Sequence, residues 1–261
     1  MIPSQLSPAL ARAHSSWRPI LEQGLRAIAA ADPAYLPALV EADYLPNDNR
    51  LFAAFSLPID AVRTVLVGEG PYPRAASATG VCFMDGAVDA LWSDKGLSTK
   101  VNRATSLRNF IKMLLVCEGF LTPDACTGEP VADASRKARS PGSNMIQTLP
   151  EMQESLQAQG FLLLNATLVY RAEIPPAKEG RAWRGFLEVV LEALAARAGA
   201  LPTLVLWGKV AELVAGLDDI ERFPRVVAEH PYNLSFIANP AMHAFFRPLH
   251  LLLRPAAGAS V

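Results

Sequence analysis

VRTVLVGEGPYP (residues 62–73) contains an apolar run, Val62–Val67, that stops at a glycine-rich turn, Gly68-Glu69-Gly70-Pro71. The run is too short for an ordinary helix, and its apolarity is continuous rather than alternating. That is the signature of a strand covered on both faces, as in a parallel sheet. Two more segments share it: Phe161–Leu164 (FLLL), ending at Asn165, and Leu204–Trp207 (LVLW), ending at Gly208. A fourth, Pro224–Ala228 (PRVVA), leads into His230-Pro231. Apolar residues at three-and-four spacing predict helices over Trp17–Ala30, Ser106–Val116, Pro150–Gln159, Ala182–Ala198 and Lys209–Ala215. Strand and helix alternate, which predicts an α/β fold with a central, mainly parallel sheet of about four strands flanked by helices.

The chain has 261 residues, of which 51% are hydrophobic, enough to bury a sizeable core without a disulfide or metal staple. This composition excludes a disordered chain, a collagen and a cysteine-rich scaffold. Residues 1–261 are expected to form a single domain, with the polar stretch 122–148 as a surface loop or insertion. Cys82, Cys117 and Cys126 include no Cys-x-x-Cys pair and are expected to be reduced thiols of a cytoplasmic protein. No metal or other cofactor is expected. The opening MIPSQLSPALARAHSSW has no basic region followed by an apolar one, so no secretory signal is expected. No run reaches the ~18 apolar residues of a membrane span. With 24 Lys+Arg against 25 Asp+Glu, net charge is −1 and a wholly basic surface is excluded. A groove depends on local charge, and Lys100, Arg103, Arg171, Lys209 and Arg247 lie in or near the candidate loops.

In a parallel α/β sheet, ligands bind beyond the carboxyl ends of the strands. The segments GEGPYP (68–73), NATLVYR (165–171), GKVAE (208–212) and HPYNLS (230–235) therefore carry the candidate chemistry. Taken singly, each has two readings. Glu69 is an acid/base group or a carboxylate held by nearby backbone amides. Asn165 reads a ligand amide or caps the following turn. His230 is catalytic or an ordinary loop histidine. The glycine loop completes neither the P-loop nor the dinucleotide pattern, and no G-x-S-x-G is present.

Together, the order and spacing of these segments resemble the uracil-DNA glycosylase superfamily, most closely its family 1. That family carries G-Q-D-P-Y-H, G-L-x-F, L-L-L-L-N, L-L-W-G and H-P-S-P-L-S. The matching positions here are Gly68–Pro73, Gly80–Phe83, Leu162–Asn165, Leu206–Gly208 and His230–Ser235. The likeness runs from about Trp17 to FFRPLH (245–250). It implies a monomeric DNA glycosylase of base excision repair that flips uracil out of DNA and hydrolyses its N-glycosidic bond. By resemblance, Phe83 stacks on the base, Asn165 bonds its amide edge, and Tyr72 excludes the methyl of thymine; with Gly70 these form the base-binding set. His230 stabilises the departing base. Leu234 wedges into the duplex, while Ser106, Gly208, Lys209 and Ser235 contact DNA.

Two family-1 positions differ: Gly70 replaces the loop aspartate and Pro73 the histidine. The iron–sulfur glycosylases of family 4 instead read G-E-[AG]-P-G, which Gly68-Glu69-Gly70-Pro71 matches without the cluster cysteines. Glu69 is accordingly expected to be the catalytic carboxylate. The alternatives are a catalytically impaired DNA-binding or interaction protein of the same fold, or a glycosylase with altered base specificity. The loop 94–107 offers Lys100 and Arg103 in place of the family's proline-rich loop. About five extra residues lie between Ser235 and Phe245.

Overall fold

The expected strands are all present in the computed structural model, which describes residues 1–217 and 220–254. They are β1 (Thr64–Gly68), β4 (Phe161–Asn165), β5 (Thr203–Trp207) and β6 (Arg225–Ala228), with a small hairpin of β2 (Trp92–Ser93) and β3 (Gly96–Leu97). The helices are α1 (Ser7–Arg12), α2 (Arg18–Ala31), α3 (Tyr35–Val40), α4 (Thr99–Arg103), α5 (Thr105–Cys117), α6 (Glu129–Arg139), α7 (Leu149–Ala158), α8 (Pro176–Ala196), α9 (Lys209–Ala215) and α10 (Pro240–Phe246). Strand order is β4-β1-β5-β6. β1 pairs in parallel with β4, from Thr64↔Phe161 to Gly68↔Asn165, and with β5 on its other side. This register sets the glycine loop beside Asn165.

Two compact units divide the chain: Met1–Gly86 with Gly160–Arg225, and Ala87–Gln159 with the chain from Val226 onward. In the first, β1, β4 and β5 are buried almost throughout, and α2 packs against α8. Gly24 of α2 allows this approach, since a Cβ there would lie 2.5 Å from the Phe186 ring. Phe186 in turn joins Phe52, Phe55 and Trp183 in an aromatic cluster. β4 is preceded by Gly160, whose carbonyl accepts from Arg63 N–H (2.9 Å) and Thr64 N–H (3.2 Å). That bond aligns the entry of β4 with β1.

In the second unit, α5 is buried at nearly every position from Leu107 to Cys117 and packs edge-on against α10 through Phe110 and Phe246. The stretch 122–148 departs from the expected surface loop: it contains α6, which buries Val131, Ala134, Ser135 and Ala138 and packs against β2 and β3. Those residues fall at helical spacing, but small side chains give them little apolar signal. α8 also begins six residues before the predicted Ala182, with a proline in its first turn. The loop 94–107 likewise folds into β3, α4 and the start of α5, and Ser98 caps α4 by accepting from Val101 N–H at 3.2 Å.

Candidate active site

β1 ends at Gly68, and the chain then runs through Glu69 and Gly70 beside the segment that follows β4. Ala166 N–H donates to the Gly68 carbonyl at 2.8 Å, and Thr167 N–H to the Glu69 carbonyl at 3.1 Å. The two post-strand loops are thus held in register past the end of the sheet. Asn165 is only 5% exposed. Its side-chain amide makes no hydrogen bond among the described residues, and its atoms are not among the fully enclosed unpartnered ones, so the amide opens onto accessible space. The capping reading of Asn165 therefore has no bond to support it.

Phe83 adopts φ = +67°, the left-handed region that side chains rarely occupy, and its ring stands edge-on to Trp207 at 5.4 Å. Gly80 supports the same turn with φ = +81°, where a Cβ would fall 2.0 Å from the Arg50 carbonyl. Cys82 between them is buried, its thiol pushed up to about 12 by desolvation, so it remains neutral. Tyr72 is half-buried. Burial raises its phenol well above the ordinary range, and the nearby Asp85 carboxylate adds to the effect. Asp85 is itself buried and pairs with Arg74 at 3.5 Å. Tyr72 is therefore a neutral wall at physiological pH.

Glu69 is exposed. With Gly70, Pro71 and Pro73 it lines a groove of about 840 Å³, whose walls include Val169, Ile174 and Leu213 and whose cations include Lys209 and Arg181. Neither Tyr72, Phe83 nor Asn165 lines this groove. Arg171 also borders it but is committed elsewhere: its Nε donates to Glu179 Oε1 at 2.5 Å. Tyr35 donates its hydroxyl proton to Glu179 Oε2 at 2.5 Å and accepts from Trp183 Nε1 at 2.7 Å. Arg171, one of the cations near the candidate loops, is thus part of a structural network with the buried Glu179.

His230, in the second unit, is half-buried, and its Nδ1 accepts from Tyr232 N–H at 3.1 Å. With Nδ1 accepting, a neutral ring carries its proton on Nε2. The loop rests on Asn109 of α5, whose amide donates to the carbonyls of Pro231 (2.7 Å), Tyr232 (3.3 Å) and Asn233 (3.5 Å). Leu234 is 70% exposed and Tyr232 68%. Ser235 is occupied: its hydroxyl bonds Glu229, whose carboxylate also accepts from Asn239 Nδ2 at 2.8 Å. Burial raises the Glu229 carboxyl, but these bonds outweigh it and hold the group below the ordinary range. The lengthened segment 236–244 supplies Asn239, which caps α10. Ser106 sits half-buried in the first turn of α5, and Lys209 is exposed at the start of α9. Gly208 before it has φ +59°, ψ −133°, a conformation reserved for glycine. Among the described residues, no group of three His, Cys, Asp or Glu is arranged to hold a metal ion, and no helix is long and apolar enough to cross a membrane.

No protein-family model matches the chain. Individual proteins do. A uracil-DNA glycosylase of Porphyromonas gingivalis is 32% identical over 191 residues, which cover 73% of this chain and 69% of that protein. The chain belongs to the uracil-DNA glycosylase family. One from Corynebacterium glutamicum is 28% identical over 235 residues, covering 85% of this chain and 81% of the relative. The crystal structure of the UNG of Nitratifractor salsuginis superposes with a TM-score of 0.84 at 39% identity, covering 94% of this chain and 95% of the other. The mimivirus uracil-DNA glycosylase, at 16% identity and a TM-score of 0.51, shares the fold.

For a uracil-DNA glycosylase, several residues that shape these loops carry little signal in the sequence. Asn109 is one, although a lone amide inside the buried run LRNFIKMLLV is itself a polar group needing a partner. Thr167 faces Gly70, and Cys82 faces Gly68. Tyr232 shares the exposure of Leu234.

Proposed function

We propose that this chain is a monofunctional uracil-DNA glycosylase of family 1 that carries its catalytic carboxylate at Glu69, as the family-4 loop does. The observation that carries the reading is Asn165, a nearly buried residue whose amide stays accessible and has no hydrogen-bond partner among the described residues. A uracil edge satisfies it: Oδ1 accepts the N3–H and Nδ2 donates to O4. Phe83 supplies the stacking face, and Tyr72 the neutral wall against a thymine methyl. The partner is DNA containing uracil.

The bond from C1′ to the base nitrogen breaks heterolytically, and its electron pair leaves with the uracil anion. His230 Nε2–H donates to the O2 that gains this charge, and the Glu69 carboxylate offsets the positive sugar. Water adds to C1′ and gives up a proton to the carboxylate, leaving an abasic sugar. Exposure of the Glu69 side chain at the groove suits a group that meets both DNA and water. The rival, a fold-retaining DNA-binding protein without catalysis, draws on Gly70, where the family has aspartate.

A uracil-containing oligonucleotide, incubated with excess enzyme and then treated with alkali, separates them. Strand cleavage at the uracil is expected. Full-length product at all enzyme concentrations overturns the uracil reading, and a panel of other lesion bases then tests for altered specificity.

A further inference from the structure

We infer that Gly68 is a positioning residue for base recognition, keeping open the space into which the Asn165 amide projects. The inference rests on the reading of Asn165 given above. Gly68 does not have a positive φ, so backbone conformation does not demand glycine there. Space does. A Cβ at Gly68 would sit 2.5 Å from Cys82 Sγ and 2.9 Å from Asn165 Oδ1, both below any normal contact.

The two neighbours differ in how they yield. Cys82 is buried, and its backbone is tied to the Leu163 carbonyl of β4 at 3.0 Å, so its sulfur has little room to retreat. The Asn165 amide has no bond anchoring it within the described residues, so it is the group that turns aside. Gly68 and Asn165 are also directly paired across β1 and β4, so any side chain at 68 presses on the amide at its root. Gly68 thus acts through Asn165 without touching the base.

Cys82 provides the means to separate this role from packing. In the double variant Gly68→Ala/Cys82→Ala the sulfur contact is gone, and the nearest remaining atom of residue 82 is its Cβ at 3.7 Å. The 2.9 Å contact with Asn165 Oδ1 persists. The double variant should melt close to Cys82→Ala alone and bind abasic-site DNA like the wild type. Its kcat/KM on uracil DNA should fall about tenfold to a hundredfold, as expected for spoiling one or two hydrogen bonds to the base. The Ki for free uracil should rise by a similar factor.

Asn165→Ala is the control. If it loses turnover and uracil inhibition while the double variant keeps both, the role of Gly68 is refuted. If Asn165→Ala itself behaves as wild type, the underlying reading of Asn165 fails and the inference fails with it.

Discussion

Gly70 offers a direct test of where the catalytic carboxylate sits. A Cβ added there would meet only the Thr167 carbonyl at 3.6 Å and its Cβ at 3.7 Å, both ordinary van der Waals distances. Its φ lies outside the left-handed region, so aspartate fits without backbone strain. Replacing glycine at such a site commonly gains about 0.4–1 kcal/mol from the unfolded chain, so Gly70→Asp should fold at least as well as the parent. Glu69→Gln removes the charge that offsets the developing sugar cation. Loss of one well-placed electrostatic group costs about 100- to 1000-fold, or roughly 2.7–4 kcal/mol. Single-turnover kinetics on a uracil oligonucleotide should show that loss with DNA affinity little changed. Adding Gly70→Asp to Glu69→Gln should restore at least about tenfold, since a carboxylate returns one residue along the same loop. Two results would overturn the assignment of the carboxylate to this loop: an undiminished rate for Glu69→Gln, or a double variant no faster than Glu69→Gln.

Glu179→Gln should leave the buried Arg171 guanidinium without its counter-charge, costing about 3 kcal/mol and lowering Tm by roughly 10 °C; an unchanged melt would contradict the buried network. Phe83→Gly trades the strain at φ = +67° against the ring's partial burial. The Tm should stay within about 3 °C while turnover drops sharply, and a fully active variant would remove Phe83 from the site. The carboxyls of Glu229 and Glu151 are both held below their ordinary value of 4.5: burial opposes this, and hydrogen bonds from Ser235 and Asn239, or from Arg254 and two backbone amides, prevail. Their stabilisation is complete above that value and is lost as pH falls through the lower folded values. Acid unfolding followed by circular dichroism should therefore shift to higher pH in Glu229→Gln. With Arg171 occupied, the four cations Lys100, Arg103, Lys209 and Arg247 remain exposed. The log–log salt slope of binding to duplex DNA should be about −4 or shallower, and one near −7 would mean that other cations carry the contact.

The sheet was legible because buried parallel strands are written as short continuous apolar runs. Val65–Val67 and Leu162–Leu164 left no competing reading of their period. α9 was found at both ends, since Gly208 and Gly216 punctuate it. α6 was not, because Ala134, Ser135 and Ala138 bury a face through smallness rather than hydropathy. The early start of α8 was hidden because its first turns are polar, and Glu179 is buried only by virtue of partners at positions 35 and 171. The same non-local pairing is why the structural commitment of Arg171, named among the cations near the loops, was not legible. Motif order brought forward the loop residues of the candidate site, but local sequence does not encode space. Nothing in G-E-G-P distinguishes a glycine needed for room, Gly68, from one with room to spare, Gly70.

The grip of Asn109 on three successive carbonyls has a consequence for how Tyr232 and Leu234 meet a partner. A loop fixed to a helix by one buried amide has surrendered its conformational freedom at the folding step. Its two protruding side chains are then presented like teeth on a rigid frame, and inserting one into a base stack requires little further ordering of the protein. On the proposed reading of this loop as the wedge, Asn109 thereby lowers the ordering cost that insertion would carry.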